Sequence, residues 1–172
     1  AASLVMYFRS THNLPKLQAG DWAALCTFVG VMARPLGGAL ADRIGGIRTL
    51  TFCYVIAGAM LAASGFATSL MSAFLLLVIV LAALGAGNGS VFQLLPQRFG
   101  EELGLMTGLV GAGGGLGAFF LATALGWSKG ETGSYAFGLN AFAVLCVIAL
   151  VGLSLVKNRW RTTWGALAAA RI

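Results

Sequence analysis

Side chains able to do chemistry are scarce in this chain, and their spacing is uneven. Arg34 stands inside an apolar run, in VGVMARPLGGALADRIGG (Val29–Gly46), with no acid after it until Asp42. Asn88, Ser90 and Gln93 interrupt the end of a second apolar run. The sole histidine is His12, and the three cysteines, Cys26, Cys53 and Cys146, lie in separate apolar stretches with no Cys/His spacing between them. That pattern points away from metal binding and a disulfide framework, and predicts small buried thiols. An enzyme in such surroundings needs paired titratable groups or metal ligands, and the apolar runs hold neither. Neither an enzyme nor a bound cofactor is expected. What an isolated guanidinium does offer is a planar fork of donors that meets a planar oxyanion with two parallel hydrogen bonds.

Glycine supplies the second pattern. Gly104, Gly108, Gly111 and Gly115 are spaced four, three and four apart, which puts them on one helix face where another backbone or a ligand can approach closely. Gly113, Gly115 and Ala118 also satisfy the G-x-G-x-x-A dinucleotide spacing, but no strand precedes them and the whole motif is embedded in an apolar span, so that reading fails. Gly85 and Gly89 share a face in the same way. Asn88 beside them serves either as a hydrogen-bonding contact between helices or as part of a substrate path.

The elements that must position these residues follow from composition. Of the 172 residues, 59% are hydrophobic and 9% charged, against about a quarter charged in soluble domains. Such a chain has lipid as its solvent. Five apolar runs reach helix-spanning length: about Trp22–Ala41, Ile47–Ala67, Met71–Leu95, Leu105–Trp127 and Tyr135–Val156. A sixth, partial run covers Ala1 to about Phe8. Unpaired backbone is not tolerated in hydrocarbon and the short alternating strands of a barrel are missing, so the runs are predicted to be helices, giving an all-α membrane protein. The opening AASLVMYFRS reads as the back end of a helix, and the chain is expected to be a fragment. Polar connections are predicted at Thr11–Asp21, Asp42–Arg48, Pro96–Gly104 and Ser128–Ser134.

The net charge of +6 is distributed unevenly. Alternate connections place Arg43, Arg48, Arg98, Lys157, Arg159, Arg161 and Arg171 on one side, and Arg9, Lys16 and Lys129 on the other. The richer side is expected to be cytoplasmic, with the C-terminus inside. Basic residues here are topological signals, and no nucleic-acid partner is expected. On this topology Arg34 lies about seven or eight residues above the Asp42 turn, about 10–12 Å into the membrane. A guanidinium there costs at least about a few kcal/mol unless it is hydrated or paired. Two readings stay open: Arg34 faces a water-filled cavity and a substrate, or it snorkels or pairs within the protein.

Three segments together carry a resemblance. GGALADRIGG, with Gly38, Leu40, Ala41, Asp42, Arg43 and Gly45, resembles the G-x-L-A-D-R-x-G cytoplasmic loop of the major facilitator superfamily. With GNGSVFQLLPQRF (Gly87–Phe99) and GLVGAGGGLGAFF (Gly108–Phe120), the chain is similar to the nitrate/nitrite porters of that superfamily. The resemblance implies the C-terminal six-helix half of a twelve-helix fold, with helix 7 truncated. Residues 1–157 would be the half-bundle, containing the tail of helix 7 and helices 8–12, and 158–172 a basic cytoplasmic tail. It implies a multi-pass protein of the cytoplasmic (inner) membrane that moves nitrate or nitrite by alternating access. Arg34 would bind the anion together with an arginine of the missing N-terminal half, and Gly111, Gly113, Gly114 and Gly115 would pass close to it. Asp42, in a loop with Gly38, Arg43 and Gly45, would latch the facing half at a helix N-terminus. Pro35, directly after the arginine, departs from the family pattern. The alternative is a facilitator for another small anion or an organic solute, which shares the Asp42 loop but does not need the glycine signatures.

Overall fold

A computed structural model of the chain describes residues 2–164. The described residues form six helices and no strand: α1 (Ala2–His12), α2 (Lys16–Ile44), α3 (Gly46–Ser64), α4 (Leu70–Arg98), α5 (Leu103–Thr132) and α6 (Ala136–Trp164). Five of them, α2 to α6, are long and apolar enough to cross a membrane. Of the basic tail at 158–172, the part through Trp164 continues α6, and residues 165–172 lie outside the described residues.

The helices outlast their apolar stretches. α2 starts at Lys16 rather than Trp22, because Pro15, with φ −56°, sets the chain for a helix start and leaves only Asn13 to Pro15 as a connection. α4 runs on to Arg98 through Pro96, and α5 continues to Thr132 across the polar SKGET segment. Apolar side chains report which part of a helix meets lipid, whereas the backbone ladder continues until a turn residue stops it. At the end of α5 that residue is Gly133, left-handed with φ 69°.

α4 is the central helix. It runs parallel to α2, as Gly30 against Gly85 and Asp42 against Gln93 show, and antiparallel to α3. α3 in turn packs antiparallel on α6, with Gly58 against Cys146 and Gly65 against Asn140. The main core gathers at one end of the bundle, where Tyr7, Phe8, Ala23, Cys26, Leu61, Leu77, Leu125 and Leu139 are buried together. Tyr7 meets Tyr135 edge-on at 5.4 Å. Among the described residues, the opposite end has a small cluster built on Leu50 and Leu94.

The buried part of α5 lies at the well-packed end. Its buried residues are Leu125 and Ser128. Ser128 Oγ donates to the Ser134 carbonyl (2.8 Å) and accepts from the Gly138 amide (3.1 Å), while Thr132 Oγ1 donates to the Ser128 carbonyl (2.6 Å). These bonds tie the α5–α6 junction. From Leu103 to Phe120 nearly every residue of α5 is exposed. The three cysteines are buried and unbonded, in keeping with their apolar settings.

Candidate functional site

The seam between α2 and α4 is made of small residues, and Arg34 lies on its edge. At helical spacing Arg34 shares a stripe with Gly30, Gly38 and Ala41. Across the seam, Cβ atoms built on Gly85 and Gly89 would overlap the carbonyl oxygens of Gly30 and Arg34, and one on Gly37 would overlap the backbone of Ala86. Two helices this close gain dispersion contacts and weak Cα–H···O bonds that bulkier side chains forbid. Ser90, fully buried, adds hydroxyl contacts to the carbonyls of Ala86 (2.9 Å) and Gly37 (3.2 Å). The backbone at Arg34 therefore lies directly against α4.

The Arg34 side chain is exposed, and no side-chain hydrogen bond or ion pair engages it among the described residues. Pro35, inside α2, lacks the amide that would reach the Val31 carbonyl, which loosens the ladder beside the arginine.

The turn that follows is tight. Gly45 alone separates α2 from α3, with φ 98° and ψ 140°, a conformation side chains rarely adopt. Its amide donates to the Ala41 carbonyl (2.9 Å), and its carbonyl accepts from the Thr49 amide (3.1 Å) and hydroxyl (3.0 Å). Gly46 lies under Leu94, where a Cβ would come within 2.5 Å of that side chain. A Cβ on Gly38 would make ordinary contact with the Gly89 carbonyl (3.7 Å), and Arg43 is exposed in the last turn of α2. Asp42, also exposed, accepts a hydrogen bond from Gln93 Nε2 at 2.8 Å. The partner on α4 was legible in one respect: Gln93 stands four residues after Gly89, on the face that meets α2.

Asn88 points elsewhere. It lines a cavity of about 210 Å³ between α3, α4 and α5, together with Cys53, Tyr54, Gly87 and Gly114. Asn88 and Tyr54 make no side-chain hydrogen bond within the protein among the described residues, so the cavity carries an amide and a hydroxyl against otherwise apolar walls. The structure thus brings Asn88 and Gly114 together and leaves Arg34 outside that cavity. Gly111, Gly113, Gly114 and Gly115 have open space where a Cβ would stand, as do Gly104, Gly108 and Gly117. No group of three or more metal-ligating side chains occurs among the described residues.

Ser128, placed by sequence in a polar loop, turns out to be fully buried and to hold the α5–α6 junction. A serine four residues before a Thr, just ahead of a Gly, gave no separate signal of that role.

Five spanning helices, a glycine seam carrying an exposed arginine and a one-residue reversal after an Asp–Arg pair define a polytopic helical membrane protein. The chain belongs to the Major Facilitator Superfamily, whose family model matches residues 1–169. It is similar to proteins named probable nitrate transporter NarT. That of Staphylococcus carnosus is 32% identical over 150 residues, covering 86% of this chain and 38% of the relative. That of Staphylococcus haemolyticus is 32% identical over 147 residues (84% and 38%), and that of Staphylococcus aureus strain N315 31% over 153 residues (88% and 37%). The chain therefore spans under two-fifths of these relatives' length. No solved structure gives a significant match.

Proposed function

We propose that the chain is the C-terminal half-bundle of a nitrate and/or nitrite transporter of the cytoplasmic membrane, working by alternating access. Two expectations go with this reading: a C-terminus on the cytoplasmic side, where the basic connections gather, and a partner half that completes the cavity. Arg34 binds the monovalent anion with a second arginine from that half. The bound ion screens the two like charges and lets the halves close, and without it repulsion holds them apart. The glycines of α5, Gly111, Gly113, Gly114 and Gly115, with Asn88 near Gly114, give the anion path a smooth, weakly polar wall.

The observation that carries this reading is the exposed Arg34, without an ion-pair partner among the described residues, eight residues before Asp42 in an apolar helix. Names of the relatives support the choice of anion. The test is nitrate and nitrite uptake, by counterflow in proteoliposomes, with the full-length protein and its Arg34→Lys variant. Lysine keeps the charge but loses the bidentate geometry, so transport falls by about tenfold or more. Normal uptake by the lysine variant, or no uptake by the unaltered protein, sinks the reading.

A further inference from the structure

Asp42 is poorly placed for its own helix. It stands in the last turn of α2, where the helix dipole presents its negative end and an acid is disfavoured. A group on another helix reaches it: Gln93 Nε2, from α4, donates to Asp42 Oδ1 at 2.8 Å. The amide's orientation is dictated by chemistry, because a carboxylate only accepts and the Gln93 NH₂ must face it. The Gln93 oxygen is accordingly turned away and buried without a donor, as is the Gln97 oxygen one turn further on.

The backbone around this pair is rigid on both sides. Gly89, four residues before Gln93, lies against the Arg34 carbonyl, and Gly46, four residues after Asp42, lies under Leu94. The Gln93 side chain therefore projects from a fixed helix onto a fixed turn, and holds the carboxylate in one orientation. Asp42 engages other groups as well; the Gln93 bond is one that reaches it from α4.

We propose that Gln93 is a positioning residue for alternating access, acting through Asp42: it aims the carboxylate so that the Asp42 turn can close against the other half. This inference builds on the transporter reading above. Gln93 itself need not touch the transported ion.

The test is a cycle of Gln93→Leu, Asp42→Asn and the double variant in the full-length protein, with Gln93→Glu as a fourth. Two readouts are taken in the same proteoliposomes: nitrate counterflow and hydrogen exchange of the amides at the α2–α3 turn. Gln93→Leu lowers transport by about three- to tenfold and speeds exchange at the turn, and the double variant matches Asp42→Asn alone, the non-additivity of groups acting as a unit. Gln93→Glu is the most damaging variant at about pH 8 and regains activity toward about pH 5.5 once one proton is shared between the two carboxyls. By their places in the chain, the other charged residues at this end include Arg43, Arg48, Arg98, Glu101, Glu102, Lys157, Arg159 and Arg161; all are common to the unaltered protein, whose own pH profile is divided out.

Additive effects in both readouts, or no acid recovery of Gln93→Glu, overturn the proposal and leave Gln93 a packing residue. A non-additive exchange cycle in a protein that carries neither nitrate nor nitrite overturns the transporter reading while the Gln93–Asp42 positioning stands.

Discussion

Gly89 of α4 lies directly against the backbone carbonyl of Arg34 on α2, so closely that a side chain at 89 has no room. The arginine's depth and direction are thereby set by a contact that involves no charge. A guanidinium on a mobile backbone would lose much of its geometric selectivity for a planar anion, since small misplacements of a binding group are costly.

Enlarging Gly89 separates the two functions of that residue type. Gly89→Leu forces α2 and α4 apart and costs about 1–3 kcal/mol, as overpacking does. It is read as a lower unfolding temperature in detergent. It also displaces Arg34, so anion binding weakens even where the protein still folds. An unchanged melting temperature would contradict the close seam.

Gly114 should behave in the opposite way. Nothing lies within 4 Å of a Cβ built there, so Gly114→Ala meets no steric cost and gains about 0.5–1 kcal/mol of helix propensity. The expected result is equal or higher thermal stability with reduced nitrate transport in the full-length protein. Loss of stability would show that the glycine face is buried against something else.

His12 predicts a pH dependence. It ends α1 in the polar connection; its Nε2 is buried without a partner among the described residues, and the Tyr7 and Phe8 rings lie 6.1 and 6.5 Å from the imidazole. Burial lowers its pKa from the ordinary 6.5. A histidine depressed in the folded state stays neutral there while the unfolded one charges. Its cost is therefore absent above the unfolded value and grows as pH falls through about 6.5 toward the folded value. Thermal stability should decline across that window, and His12→Phe should flatten the decline. A variant that declines as steeply as the unaltered chain removes His12 from the account.

Sequence alone settled the class of this molecule. Apolar runs of spanning length with so few charges have one stable solvent, and backbone polarity in that solvent forces helices. It also marked Arg34, Asp42 and the glycine repeats, because a charge or a bare backbone inside an apolar run stands out by composition. Gly45 was legible too, since the positive φ of a one-residue reversal is a demand on a single position. Element ends were less so: Lys16, Arg98 and Thr132 lie in helices beyond their apolar stretches, because turn residues stop a helix and hydropathy does not.

Only the tertiary structure decided which of these residues meet. It joined Asp42 to Gln93, put Asn88 with Gly114 and Tyr54, left Arg34 outside that cavity, and buried Ser128 as the clasp of α5. Each of those outcomes depends on how far α4 slides along α2 and α3 before small residues interlock. That register is set by contacts between residues some fifty positions apart, which a local pattern cannot encode.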